Sequence, residues 1–294
     1  MEQNVETTLM FADVSGSTKL YDTVGDKIAF AAVARCVALM SKLTHDFGGR
    51  VVKTIGDEVM AAFPDANSAA TAAMEMQVGI EAMEPIEGTR LAIRIGMHFG
   101  PAVERGGDYF GDTVNLAARL SDLAIKGQII TSRATVDKLN AMLRGHCRQL
   151  YGIGVKGKAA EVEICEIMWR DSEDATTQVA DRPTAAPAST VLTLKYRGRE
   201  VRLDATTRSI TLGREKSAEL VVEDPNASRN HGKIELRGGK FVLTDHSANG
   251  TFLTIEGDRE HVLRREDYPL RGRGWIALGQ SKATATEYVE YHCV

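Results

Sequence analysis

One change of composition divides this chain. Residues 171–190 contain a single large aliphatic side chain, Val179, together with two prolines and no aromatic residue. Such a segment cannot bury enough apolar surface to fold, so it predicts a flexible, acidic, proline-containing linker. We therefore predict three parts: an N-terminal domain over residues 1–170, the linker over residues 171–190, and a C-terminal domain over residues 191–294.

The composition excludes several classes of protein. The chain has 294 residues, 43% of them apolar, which suits two globular domains. Its formal net charge of −4 offers no general attraction to nucleic acid or anionic lipid, and no run of about 18 apolar residues predicts a membrane span. The acidic start of the chain is unlike a secretory signal, and the four widely spaced cysteines are typical of reduced thiols. We expect a cytoplasmic protein that binds neither nucleic acid nor membranes.

The N-terminal domain alternates strand and helix patterns. Apolar residues recur at helical spacing in some segments and alternate with polar residues in others. The predicted elements are a strand, a helix, a hairpin, a helix, a strand and a further helix: Thr7–Asp13, Lys27–Phe47, Val51–Ile55 with Val59–Phe63, Asn67–Met83, Leu91–Phe99 and Thr113–Leu123. The order β-α-β-β-α-β predicts a ferredoxin-like α+β fold.

Two aspartates stand where predicted strands end. Asp13 closes the first strand, and Asp57 lies in the turn of the hairpin. If these strands are neighbours, both carboxylates meet at one edge of the sheet. Such a pair suits Mg²⁺, which takes one or two carboxylates and completes its shell with substrate phosphate oxygens. Taken singly, an aspartate after a strand is more commonly a turn former.

Three further residues are placed to meet a phosphate group. Asn115 and Arg119 stand four residues apart in a predicted helix and so share one face. An arginine there can donate two hydrogen bonds to a phosphate where charge develops. Lys156 lies next to Gly157, in a turn where a lysine can approach a triphosphate as a point charge. A solvated helix face and a surface lysine are the alternative interpretations.

Five motifs, in this order and spacing, resemble those of the class III nucleotidyl cyclase catalytic domain. They are FADVSGST, KTIGDEVMAAF, RIGMHFGP, GDYFGDTVNLAARL and VKGK, and the resemblance covers about residues 5–168. The resemblance implies a role for seven residues: metal binding by Asp13 and Asp57, purine selection by Lys53 and Asp108, transition-state contacts by Asn115 and Arg119, and triphosphate binding by Lys156.

The purine-selecting pair favours adenine on chemical grounds. A lysine can donate to N1 of adenine, and a carboxylate held by that lysine accepts from the exocyclic amine. Guanine presents N1–H and a carbonyl instead, so a mismatched polar pair in a closed pocket costs about 1–3 kcal/mol. Guanylyl members of the family carry other residues at the positions of Lys53 and Asp108, so the resemblance also implies ATP as the substrate.

The resemblance further implies the reaction and the assembly. Two Mg²⁺ ions, for which Mn²⁺ can substitute, bridge the metal aspartates, and the ribose 3′-oxygen attacks the α-phosphorus of ATP to give 3′,5′-cyclic AMP and pyrophosphate. The family forms each site between two catalytic domains, so one domain carrying both halves implies a head-to-tail homodimer. Two alternatives stay open: a catalytically silent cyclase fold that dimerises an adaptor, and a guanylate cyclase.

Residues 191–294 predict an all-β sandwich. Short apolar runs are separated by Gly, Asp, Asn and Ser, with no convincing long helix. Three polar clusters fall between these runs: Gly213-Arg214, Ser228–His231 and Asp245–Thr251. Loops with arginine, serine and asparagine at one end of a rigid sandwich can bind phosphate, although each cluster alone is also ordinary turn chemistry.

Together, the three clusters resemble the loops of the forkhead-associated (FHA) domain, which binds phosphothreonine peptides. The resemblance covers about residues 190–294. It implies that Arg214 and Ser228 contact the phosphate with help from Arg229. It also implies that Asn249 binds the peptide backbone and that His231 pins a loop.

The linker carries two adjacent threonines, Thr176 and Thr177, in an acidic stretch. They are candidate phosphorylation sites, since a phosphate adds about −1.5 to −2 charge that a basic pocket can bind. We expect the FHA domain to bind a phosphothreonine-containing protein or the chain's own phosphorylated linker, and so to regulate the cyclase. A passive polar linker is the alternative.

Overall fold

The computed structural model describes residues 2–153, 161–170, 190–258 and 260–294. These residues form two compact units. The first holds residues 2–152 and 162–170, and the second includes residues 190–258 and 260–294. Lys156, Thr176, Thr177 and nearly all of the expected linker lie outside the described residues, so the boundaries of the linker stay a prediction.

The first unit is an α+β domain built on one mixed sheet. Its strands and helices, in chain order, are β1 (Gln3–Ser15), α1 (Ser17–Val24), α2 (Asp26–Asp46), β2 (Arg50–Ile55), β3 (Glu58–Phe63), α3 (Ala66–Glu81), β4 (Ala92–Arg105), β5 (Asp108–Phe110), α4 (Asp112–Leu123), β6 (Ile129–Ser132), α5 (Arg133–Val136), α6 (Ala141–Gly145), β7 (Cys147–Ile153) and β8 (Val162–Ile167). The strand order is β2-β3-β1-β4-β6-β8-β7, with β5 paired only to β4. The predicted ferredoxin-like α+β fold is confirmed.

Helices cover both faces of the sheet, and strand β1 contributes buried side chains to the core on each face. Met10 and Ala12 point to one side, where they join a cluster with residues of α2 and α3. Leu9 and Phe11 point to the other side, where they pack with Ala117 of α4. This alternation is the two-residue period of a strand. Because both faces of β1 are buried, its sequence is almost continuously apolar rather than alternately apolar and polar.

Helix α4 approaches the sheet closely at one residue of β4. A Cβ placed on Gly96 would lie 1.9 Å from the backbone nitrogen of Ser121 in α4. Only a glycine leaves room for this backbone contact. The contact sets the depth at which α4 packs, and α4 carries Asn115 and Arg119.

Two elements within residues 2–123 are absent from the sequence-based expectations. Helix α1 is eight residues long and begins and ends next to glycines at positive φ, Gly16 at 79° and Gly25 at 78°. A segment so short, with a glycine at each end, gives too few residues for a helical pattern to repeat, and no element was predicted for it. It is stabilised by tertiary packing, because Leu20 is fully buried against Ala29 and Ala32 of α2. The other element is the three-residue strand β5, too short for a periodic signal.

Helix α2 is long and apolar enough to span a membrane by length and composition alone, a test that core helices of soluble proteins also pass. In this fold its apolar face belongs to the domain core. Cys36 and Met40 are fully buried in the same cluster as Ala73 and Met76 of α3. The helix therefore has a packing partner within the first unit.

The second unit is a β-sandwich. Its strands are β9 (Leu192–Tyr196), β10 (Arg199–Leu203), β11 (Ser209–Gly213), β12 (Leu220–Val221), β13 (Gly232–Arg237), β14 (Lys240–Asp245), β15 (Thr251–Ile255), β16 (Glu260–Leu263), β17 (Asp267–Pro269), β18 (Gly272–Leu278) and β19 (Val289–Cys293). They form a six-stranded sheet, β10-β9-β19-β18-β15-β16, and a five-stranded sheet, β12-β11-β13-β14-β17. The predicted all-β sandwich is confirmed.

Candidate active site and phosphate-binding loops

The two candidate metal-binding aspartates lie at the same end of the neighbouring strands β1 and β3. Asp13 lies near the end of β1, directly opposite Glu58 of β3 in the antiparallel register. Asp57 precedes Glu58 in the tight β2–β3 turn, where Gly56 has a φ of 63°. The strands are neighbours, as the interpretation of the carboxylate pair requires, so Asp57 stands one residue from the position facing Asp13.

Arg94 of β4 is the partner of Asp13 that the sequence did not reveal. Its Nε donates to Asp13 Oδ2 at 2.7 Å, and its Nη2 lies 2.6 Å from the same oxygen. Both side chains are buried, 4% and 7% exposed. An arginine in an alternating strand is expected on the polar face. Only the β1–β4 register, which sets Arg94 opposite Asp13, identifies this pair.

The donor set fits a divalent cation. Among the described residues, no group of three or more His, Cys, Asp or Glu side chains is arranged to hold a metal ion. A pair of carboxylates is nevertheless what Mg²⁺ takes when substrate phosphate oxygens complete its shell. Asp13 is held in place by Arg94, and Asp57 lies in the tight turn at the same end of the sheet. Metal binding by this pair stays a prediction.

Lys53 and Asp108 contact each other. Lys53 Nζ donates to Asp108 Oδ2 at 2.6 Å, and the Tyr109 backbone N–H donates to Asp108 Oδ1 at 2.9 Å. These two hydrogen bonds, with Lys53 contributing more, hold the pKa of the Asp108 carboxyl below its usual range. The carboxylate is therefore ionised at neutral pH and its oxygens act only as hydrogen-bond acceptors.

Helix α4 presents the two remaining described candidates. Asn115 is exposed and Arg119 half-buried, one helical turn apart. The helix begins directly after β5, which carries Asp108, with Gly111 at a φ of 118° between them. Asp108, Asn115 and Arg119 thus lie on one short segment of chain.

His98 is placed in the core rather than at the site. It is buried, and its Nδ1 forms a hydrogen bond of 2.7 Å with Ser132 Oγ. A second contact of 3.3 Å joins the same nitrogen to Thr135 Oγ1. His98 thus connects β4 with β6 and α5 through hydrogen bonds in the core.

In the second unit, the β11–β12 and β12–β13 loops are bonded to each other. The Arg214 N–H donates to the Ser228 carbonyl at 3.1 Å, and the Glu215 N–H donates to the Arg229 carbonyl at 3.3 Å. A Cβ on Gly213 would lie 2.1 Å from the Arg229 carbonyl oxygen, so glycine is required for this approach. Arg214 and Arg229 are both exposed on these two bonded loops.

The β14–β15 loop joins the same end of the sandwich. The Ala248 N–H donates to Ser228 Oγ at 3.3 Å, and Asn249 Nδ2 donates to the Asn226 carbonyl at 3.1 Å. The four candidate phosphopeptide residues therefore lie on three loops that are hydrogen-bonded together. Loops fixed in this way on a rigid sandwich form a preorganised polar surface.

His231 lies beneath these loops. It is fully buried, and its Nδ1 accepts a hydrogen bond of 2.9 Å from the Ser228 N–H. Asp245 Oδ1 lies 3.8 Å from its Nε2. Burial holds the pKa of His231 below its usual value, with Asp245 opposing the shift. The position agrees with the loop-pinning role that the resemblance implies.

Lowering the pH below about 6.5 is expected to destabilise the second unit, because His231 is buried as a neutral ring. Its folded pKa is depressed from 6.5, so the unfolded chain binds the proton first and stability falls as the pH drops. The measurement is unfolding of the full chain across that pH range, compared with His231→Asn. Asparagine keeps an acceptor for the Ser228 N–H but does not titrate. An equally steep pH dependence in the variant would exclude His231 as the cause.

Comparisons with known proteins agree with this geometry. The family described as "Adenylate and Guanylate cyclase catalytic domain" matches residues 1–167, and the FHA domain matches residues 210–279. The chain is 37% identical over 129 residues to adenylate cyclases of Streptomyces coelicolor and Streptomyces griseus. These matches cover 44% of this chain and 33% and 31% of the two relatives. The chain thus spans about a third of the length of these curated relatives.

Two solved structures share the fold of the first unit. One is the catalytic core of a rhodopsin-guanylyl cyclase with converted specificity in complex with ATPαS, with a TM-score of 0.53. The other is an adenylate/guanylate cyclase/hydrolase from Silicibacter pomeroyi, with a TM-score of 0.52. Each is 25% identical, and the match covers 58% of this chain and 100% of the other.

The fold and the site thus define a class III nucleotidyl cyclase domain. The chain belongs to the adenylate and guanylate cyclase family, and its cyclase domain is followed by an FHA domain.

Proposed function

We propose that this protein is an adenylate cyclase that converts ATP to 3′,5′-cyclic AMP and pyrophosphate and is regulated through its FHA domain. The observation that carries the choice of ATP is the contact of 2.6 Å between Lys53 and Asp108. The lysine donates to N1 of adenine, and the Asp108 carboxylate accepts from the exocyclic amine. Guanine would set an N1–H against the lysine and a carbonyl against the carboxylate.

The other candidate residues act on the ribose and the triphosphate of the substrate. Two Mg²⁺ or Mn²⁺ ions held by Asp13 and Asp57 would supply positive charge next to the ribose 3′-hydroxyl and the phosphates. Asn115 orients the ribose, and Arg119 donates hydrogen bonds where negative charge develops on the phosphoryl group. Lys156 neutralises the charge of the departing pyrophosphate.

We propose that two copies of the chain share each site. The surface beside the candidate residues supports this assembly. Ile55 and Phe110, each two residues from a residue proposed to select the purine, are both at least half exposed. Large apolar side chains concentrated near a site are typical of surfaces that a partner covers. A head-to-tail dimer would bring the Asp13 and Asp57 edge of one copy against Lys53, Asp108 and Arg119 of the other.

The direct test is an assay of the purified protein with ATP or GTP and Mg²⁺ or Mn²⁺, followed for the cyclic product. Cyclic AMP from ATP, with little cyclic GMP from GTP, supports the proposal. A preference for GTP would favour the guanylate cyclase alternative. No product from either nucleotide would favour the silent dimeriser. The 37% identity to two Streptomyces adenylate cyclases supports the first outcome.

The FHA domain is proposed to bind phosphothreonine, in a partner protein or at Thr176 or Thr177 of the linker. Arg214→Ala is expected to weaken binding of a phosphorylated 171–182 peptide by about 10- to 100-fold, because a charged hydrogen bond to the phosphate is lost. Fluorescence anisotropy with the full chain measures this. Arg202→Ala removes the same charge from β10 in the other sheet and should leave affinity unchanged. Equal affinity of the phosphorylated and plain peptides would rule out the linker as ligand.

A further inference from the structure

We propose that Arg50 is a positioning residue for purine selection: it fastens the β4–β5 hairpin to β2 so that Asp108 is held against Lys53. This inference rests on the proposed function, because it concerns the same purine-selecting pair. Discrimination between ATP and GTP then depends in part on Arg50, a side chain that contacts neither nucleotide.

Arg50 binds the chain on both sides of Asp108. Its Nη1 donates to the carbonyl of Gly107 at 2.9 Å, and its Nη2 donates to the hydroxyl of Tyr109 at 3.2 Å. The guanidinium carbon also lies 5.4 Å from the centroid of the Tyr109 ring. A third contact, of 3.0 Å, joins Nη2 to Glu104 Oε1 on β4. Residues before and after Asp108 are thereby held by one planar side chain.

The hairpin needs such a restraint. The turn before Asp108 is Gly106-Gly107, with both residues at positive φ, 61° and 82°. Strand β5 is three residues long, and among the strands that the structure describes it pairs only with β4. Two glycines and a single short pairing leave the Asp108 backbone with much conformational freedom, which Arg50 removes.

The Lys53–Asp108 pair cannot supply the restraint by itself. The two side chains are 43% and 34% exposed. A single ion pair this open to water contributes little. Arg50 is equally exposed, at 44%, but it makes three hydrogen bonds, and one of them is to the backbone of the hairpin itself. The position of the carboxylate therefore depends on the backbone that carries it. That backbone is anchored to β2 by Arg50.

A β-bulge makes the arrangement feasible. Residues three apart in a regular strand point to opposite faces, so Arg50 and Lys53 would diverge. The pairing of β2 with β3 shifts by one residue between Val51 and Lys53. The extra residue places the side chains of Arg50 and Lys53 on the same face of β2. Both side chains therefore reach the β4–β5 hairpin, although β3 and β1 separate β2 from β4 in the sheet.

The test compares Arg50→Met, which keeps the apolar stem and removes the donors, with wild type. We expect the KM for ATP to rise about tenfold and the ATP:GTP ratio of kcat/KM to fall about tenfold, while kcat for ATP stays within about twofold. Arg105→Met is the matched control. Arg105 is an exposed arginine of the same hairpin that pairs with Glu2 at 3.2 Å, and its loss should leave the ratio unchanged.

A double variant separates positioning from general stability. If Arg50 acts through Asp108, then Arg50→Met/Asp108→Ala should discriminate no worse than Asp108→Ala alone. Equal and independent losses for both nucleotides, with a lowered melting temperature, would show a merely structural role and overturn the inference. An Arg50→Met chain that keeps the wild-type ATP preference would overturn it too, with the proposed function intact. A wild-type chain without ATP preference would overturn both.

Discussion

Equal amounts of the Asp57→Ala and Arg119→Ala chains are expected to regain about a quarter of wild-type cyclase activity on mixing, although each variant alone is nearly inactive. Random pairing makes about half of the dimers mixed, and each mixed dimer has one intact site of two. Arg119→Ala alone should lose about 10²- to 10³-fold in kcat, the usual cost of removing a donor from developing charge. Specific activity before and after subunit exchange measures the recovery.

The matched control mixes Asp13→Ala with Asp57→Ala. Both changes fall in the same half of the proposed site, so no mixed dimer contains an intact site and activity should stay absent. Dilution of the wild-type protein should also abolish specific activity. Failure of the Asp57→Ala and Arg119→Ala chains to complement, in a sample shown to contain mixed dimers, would contradict shared sites.

Arg94→Met is expected to lower the unfolding free energy of the cyclase domain by about 3–5 kcal/mol in the absence of divalent cations. The change leaves the buried Asp13 carboxylate without the cation that now lies within 2.7 Å of it. A second substitution, Asp13→Asn, should recover part of the loss because it removes the negative charge that Arg94 neutralises. Denaturant unfolding in EDTA, followed as two transitions for two domains, measures both variants.

The control for Arg94 is a surface pair. Arg105→Met breaks the exposed contact with Glu2 and should change the unfolding free energy by no more than about 0.5 kcal/mol. If Arg94→Met were equally mild, or if Asp13→Asn gave no recovery in its background, the pair would not be the buried electrostatic unit described above.

Local periodicity was enough to predict most of the helices and strands that carry the cyclase site. The second helix was expected over Lys27–Phe47 and runs over Asp26–Asp46, and the hairpin around Asp57 lies where its two apolar runs predicted it. Such segments can be predicted from the sequence because each is long enough for apolar residues to recur on one face. Helix α1 was not predicted because its eight residues are stabilised as a helix by the packing of Leu20 on α2.

The amino-acid sequence by itself determined the two domain types, the order of the elements and the candidate site residues, since these follow from patterns read along a few neighbouring positions. Only the tertiary structure revealed the charged contacts that Arg94 and Arg50 make. Arg94 meets Asp13 across 81 positions of chain, and Arg50 meets Gly107 across 57. Such contacts depend on strand register, on a bulge that reverses the direction of a side chain, and on a glycine that lets a helix touch a sheet. Those features are set by the packing of distant segments, which no local pattern contains.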